Sequence, residues 1–205
     1  MVDFKKLYLV YRIIIDPINS FKLLKDLRVY DSICYILSFG WVTALFSGFL
    51  SLYGIDYSNP SNVGGSAQLF ACWALQILNQ ESNSVITVLF FAFLVMVGYL
   101  TLAFVSTPIV ASIAWLFTGR TNFNYLIKLA YIAVIYGMTP GFLFGWIPNP
   151  FYLIGIWATL WQGLAVKEVY SLSWWKALTV VSGWIIIVGV IHDLAELLIK
   201  TALYE

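Results

Sequence analysis

The chain has 205 residues, of which 61% are hydrophobic, 18% aromatic and only 10% charged, with a formal net charge of +1 and a mean hydropathy of +0.88. That balance excludes an ordinary soluble domain, and without a global basic field it gives no reason to expect nucleic acid as a partner. Apolar stretches recur at lengths of roughly 20 residues, what a helix needs to cross about 30 Å of hydrocarbon, so the expected fold is an all-α polytopic membrane bundle.

At the start of the chain, LYLVYRIII is apolar, but Arg12 interrupts it and Asp16-Pro17 ends it without a small-residue cleavage site. Residues 1–30 are therefore expected to form a retained, cytosolic, amphipathic segment. Ile18, Phe21, Leu24 and Leu27 recur every three residues, with Lys22, Lys25, Asp26 and Arg28 between them. This is the pattern of a helix whose apolar side meets membrane lipid or a protein partner; the alternative is that the same side packs under the bundle.

A first span is expected over about 31–53. The outer loop that follows, 54–84, contains Asn59-Pro60 and Gly64-Gly65 and no Lys or Arg. Within it, Ser66–Asn79 is too short to cross but sets Leu69, Phe70, Trp73 and Ile77 on one side, which predicts a short interfacial helix. The second span, about 85–117, would measure roughly 50 Å and must tilt, bend or protrude. Pro108 supplies a cause by removing a backbone bond, while Ser106 and Thr107 can partly satisfy the freed carbonyls.

From Leu129 to Val166 there are 38 residues without a charge, enough for two crossings. The third span is expected at 125–147 and the fourth at 150–166, joined by a tight turn at IPNP in which Pro148, Asn149 and Pro150 stop one helix and start the next. Trp146 and Tyr152 then sit at interfacial depth. Pro140, after Thr139, should kink the third span rather than end it. A fifth span, 174–194, follows a loop carrying Lys167, Glu168 and Lys176. In this arrangement ten of the eleven basic residues fall on one side and only Lys200 on the other. The N-terminus is accordingly expected in the cytosol and the C-terminus outside it.

Residues 111–177 resemble the Yip (Ypt-interacting protein) domain family: WLFTGRTNF closing a helix, LAYIAVIYGMTP, the IPNP turn, LIGIWATLWQGL, and LSWWKA opening the last helix. DPINSFKLLKD is similar to the proline-phenylalanine-leucine segment that leads into that domain. The resemblance implies five crossings over residues 31–205 and a cytosolic N-terminus. In eukaryotic members it also implies residence in endoplasmic reticulum or Golgi membranes, binding of prenylated Rab-type small GTPases and a role in vesicle transport. The N-terminal segment here is short, without a long polar GTPase-facing region, which fits a prokaryotic-type member in the plasma membrane.

Residues that carry chemistry are scarce. There is no phosphate loop and no catalytic triad pattern, and a single histidine builds no multi-histidine metal site. No enzyme and no cofactor are expected. Cys34 and Cys72 should be separated by about a bilayer thickness, too far for a disulfide. His192, Asp193 and Glu196 form one polar turn near the outer end of the last span. Ionisable groups at membrane depth mark a proton or cation site; the alternative is that the helix has already reached the interface and these groups are solvated. Gln162, Thr159 and Thr139 are expected to make interhelical hydrogen bonds, and Gly137, Gly141, Gly145, Gly155 and Gly163 to let the third and fourth spans approach closely.

Three functional classes follow from this. The first is a membrane-organising or trafficking-type adaptor that binds protein partners. The second is a small-solute or ion transporter or channel, because proline-broken helices can line a solute path. The third is a subunit of a larger membrane complex, or a homo-oligomer, using the aromatic surface for contact.

Overall fold

In a computed structural model, the chain is described over residues 4–53, 85–147 and 153–204, and these form an all-helical bundle with no strand among them. The helices are α1 (Phe4–Ile15), α2 (Pro17–Leu24), α3 (Val29–Leu52), α4 (Val85–Thr118), α5 (Phe123–Gly137), α6 (Thr139–Phe144), α7 (Leu153–Tyr170) and α8 (Trp174–Tyr204). Among the described residues, four segments are long and apolar enough to cross a membrane: Val29–Leu50, Val88–Thr118, Phe123–Phe144 and Trp174–Ile191. This is the architecture of a multi-pass membrane protein. α7 is not among the four, since Lys167 and Glu168 occupy its last turns. The expected loop helix Ser66–Asn79 with Cys72, and the turn at Pro148 and Pro150 with Asn149 and Tyr152, lie outside the described residues.

Local sequence explains where the helices begin and end. Asp16 caps α2, its carboxylate accepting from Asn19 N at 3.4 Å, with Pro17 in the first turn where its missing N–H costs nothing. Gly119 follows the last residue of α4 with φ +62°, the left-handed conformation that ends helices, and Asn122 then caps α5 by accepting from Tyr125 N at 3.1 Å. TGRTN is thus a complete stop-and-restart signal.

The order of contacts along each pair sets the helix directions. A Cβ at Gly48 would stand 2.9 Å from Val88 O, and one at Gly40 2.9 Å from Met96 Sδ, so α3 and α4 run antiparallel in close contact. Gln162 meets Val134 and Tyr170 meets Leu126, so α7 runs antiparallel to α5. Tyr35 meets Thr139 and Thr43 meets Gly141, so α3 is parallel to the α5–α6 pair. α8 packs on α4 and α7 at the edge of the bundle.

The interior differs from that of a soluble protein. α3 buries Ser32, Thr43 and Ser47 beside Tyr35 and Phe39, while Trp41, Leu45, Phe46 and Phe49 face outward. Lipid tails are as apolar as leucine, so large apolar groups gain little by turning inward, whereas small residues allow close packing and hydroxyls find partners there.

Two expectations need correction. Phe21 and Leu24 are 0% and 2% exposed and Leu27 is packed against the core, leaving only Ile18 of the four outside. α2 therefore lays this side on α7, as the alternative of packing under the bundle has it, and not on lipid or a partner. It closes one end of the bundle, where apolar side chains would otherwise meet water. α1 likewise buries Val10 and Ile13 and reaches α6, so the N-terminal segment is part of the bundle. The second is one of degree: as expected, Pro140 does not end the third span, which runs Phe123–Phe144, but the interruption is sharper than a kink. Regular helix stops at Gly137 and a separate single turn, α6, starts at Thr139 with Pro140 in its first turn. Pro108, by contrast, lies inside an unbroken α4.

Candidate functional site

Two places gather polar groups. The first is the α5–α6 joint, deep in the bundle. Pro140 has no N–H to give to Tyr136 O, four residues earlier. Thr139 Oγ1 takes over that carbonyl at 2.6 Å. Its only proton is then spent, so the 2.8 Å contact with Tyr35 is a bond that Tyr35 O–H donates to Thr139 Oγ1. Thr43 Oγ1 is 2.8 Å from both Gly141 O and Phe142 O and shares its proton between them, with Tyr99 O–H reaching Gly141 O at 3.4 Å. Gln162 Nε2 donates to Val134 O at 2.8 Å. A Cβ at Gly137 would stand 2.8 Å from that amide, so only glycine lets α7 approach here. Aromatic rings seal the joint: Tyr35 lies 4.4 Å from Tyr136, and Tyr99 meets Phe142 edge-on at 5.0 Å. The carbonyls at the broken helix are thus satisfied by Thr139 of the segment itself and by side chains of neighbouring helices.

The second place is the end of the bundle closed by α2. Glu168 is buried, bonded to Lys167 Nζ, with Lys22 Nζ 3.9 Å from its other oxygen. Lys167 also lies over the Trp174 ring at 5.7 Å. Lys25 Nζ donates to Ser171 Oγ at 2.8 Å. Ser171 has φ 58°, and Leu172 N bonds Lys167 O at 2.9 Å, the six-residue closure of a helix end that usually holds glycine. Partial burial lowers the pKa of the Lys25 ammonium, Glu168 opposes that shift, and Arg120 and Lys22 reinforce it. Tyr170 O–H donates to Leu126 O at 2.8 Å, tying α7 to α5 at the same end. The result is a buried carboxylate between α2 and α7 beneath a layer of exposed and half-buried cations.

The other sequence-derived candidates are not drawn together. Thr107, beside Pro108, bonds Ala103 O in its own helix at 2.7 Å, while Ser106 Oγ is buried with no partner among the described residues. Thr159 bonds Gly155 O of its own helix, so the interhelical role belongs to Gln162 and Thr139. Gly141 and Gly155 face open space, and Gly163 faces Trp174 and Leu178 of α8. Asp193 is exposed on α8, which continues as helix to Tyr204. The side chains of His192 and Glu196 lie outside the description. Tyr35, Thr43, Tyr99 and Glu168 join these sites without a motif to mark them; on α3 the four-residue spacing of Tyr35, Phe39, Thr43 and Ser47 is the one signal in the sequence.

Comparison with protein-family models, with curated proteins and with solved structures finds no match for this chain.

Proposed function

We propose that this chain is a non-enzymatic integral membrane protein of the Yip-domain type. It crosses the membrane five times, with its N-terminus in the cytosol and its C-terminus outside, and acts as a membrane-organising or trafficking-type adaptor. The fifth crossing is α7, whose antiparallel course beside α5 favours a return across the bilayer despite its terminal charges. The observation that carries the adaptor reading is the division of polar groups. Those of the α5–α6 joint are spent on internal hydrogen bonds, while Lys22, Asp26, Arg28 and Arg120 remain exposed at the end closed by α2. An adaptor needs a rigid body and a charged contact surface. Affinity isolation from the native membrane in mild detergent tests this. Recovery of a defined protein partner is expected, and reversing the charges of Asp26 and Arg28 should abolish it; recovery of no protein, or binding indifferent to those charges, removes the adaptor role.

The helix break favours a second reading, a small-solute transporter, because discontinuous helices coordinate solutes in such proteins. Flux of labelled ions or small solutes into proteoliposomes, reduced by Thr139→Val, would replace the adaptor reading with this one.

A further inference from the structure

Near the α2-closed end, the last turns of α4 and the start of α5 form an apolar groove of about 610 Å³, lined by Ser112, Ile113, Trp115, Leu116, Thr121 and Phe123. Trp115 is 51% and Leu116 71% exposed, so the groove opens on the outside of the bundle. It belongs to a segment apolar enough to lie in hydrocarbon. It is a shallow, open trough along the surface and not an enclosed cavity. At its rim the left-handed Gly119 turns the chain and sets Arg120 beside the lining residue Thr121, with the guanidinium 5.3 Å from the Tyr125 ring. No carboxylate pairs with Arg120 among the described residues. Lys25 lies within electrostatic range of Arg120 and of Lys22. The acids that face these cations are Glu168, already engaged by Lys167 and Lys22, and Asp26. An apolar slot in the membrane-facing surface thus ends at an excess of positive charge.

The geometry points to a binding site for an anionic phospholipid, with one acyl chain in the groove and the phosphate and its net negative charge at Arg120, Lys25 and Lys22. Charge complementarity selects the headgroup, since a zwitterionic lipid offers a phosphate but no net charge. The site requires neither a protein partner nor a particular number of crossings, so it stands apart from the adaptor role. Each cation near a membrane surface contributes about a fivefold preference for anionic lipid.

The test uses the full chain purified from mixed micelles containing equal amounts of phosphatidylglycerol and phosphatidylcholine, with retained lipid counted by native mass spectrometry. Phosphatidylglycerol should be retained at least about fivefold over phosphatidylcholine. Arg120→Gln should cut that ratio about fivefold, while Ser112→Trp, which fills the groove, should lower retention of both lipids. Equal retention of the two by the parent overturns the site, as does an unchanged ratio in a normally folded Arg120→Gln variant. Should that variant fail to fold, the parent alone decides. Between 0.1 M and 1 M salt the screening length falls from about 10 Å to about 3 Å, and the preference must fall with it. A salt-independent ratio would exclude the charge contact.

Discussion

Ser171 occupies a backbone conformation that costs a side-chain-bearing residue about 1–2 kcal/mol, and it also offers its hydroxyl to Lys25. The two effects separate on substitution. Neither glycine nor alanine keeps the hydroxyl, so Ser171→Gly should exceed Ser171→Ala in stability by about 1 kcal/mol, measured by thermal unfolding in detergent. Equal midpoints would mean that the turn relaxes out of the left-handed region. Gln162 and Thr159 make a second contrast. The sequence offers both as interhelical partners, yet only Gln162 crosses to another helix. Gln162→Leu should cost about 0.6–1.7 kcal/mol and Thr159→Val almost nothing, read out by equilibrium unfolding in mixed micelles. The two are only three residues apart, and α7 is apolar on most sides, so the sequence contained no mark of which one points inward.

At the scale of elements, the apolar pattern located the helices better than it explained them. The second span, expected at 85–117, is a helix from Val85 to Thr118, because TGRTN is a local stop that needs no tertiary help. The last helix runs ten residues past the expected 194, since AELLIKTALY has good helix formers and a helix need not end where hydrocarbon does. The repeat at Phe21 and Leu24 was legible as one apolar side, but what covers it depends on α7, far away in sequence. The joint at Pro140 was underestimated for a similar reason: its sharpness rests on hydroxyls from α3 and α4. Pro140→Ala should therefore not straighten the α5–α6 pair, because Tyr136 O already has Thr139 as donor and Thr43 holds the α6 carbonyls. Thr139→Val should cost more, about 1–3 kcal/mol, by leaving Tyr136 O without its donor and Tyr35 O–H without its acceptor. Unfolding midpoints for the pair, with a probe distance from α5 to α6, check both; a larger loss from Pro140→Ala would show that proline itself makes the break.

For the whole molecule, composition alone declared a membrane bundle, and the positions of basic residues proposed its orientation. Part of that asymmetry has a spatial counterpart: Lys22 and Lys25, Arg120, and Lys167 come from three separate parts of the chain to one end. Harder to read from the sequence was the mixed packing of α3, with Ser32, Thr43 and Ser47 buried beside Tyr35 and Phe39 while Trp41, Leu45, Phe46 and Phe49 lie outside. Binary patterning assumes water outside, and here the solvent is hydrocarbon. The course of α7 decides the number of crossings. With five, tags at Met1 and Glu205 are protected from opposite sides in sealed vesicles; protection of both from the same side would require an even number and place α7 outside the set of crossings.

Lys25 and Ser171 are 146 positions apart in the chain, and that separation has a consequence for biosynthesis. At about 5–20 residues per second, a ribosome needs roughly 7–30 s to make the second partner after the first. Throughout that interval Phe21 and Leu24 have no α7 to cover them. An apolar side of that kind is sheltered from water by a membrane leaflet until α7 is in place, which is the expectation for this interval. The first helices to emerge are thus among the last to be fixed, and residues 1–28 made alone should bind lipid vesicles through the same side chains that the finished protein hides.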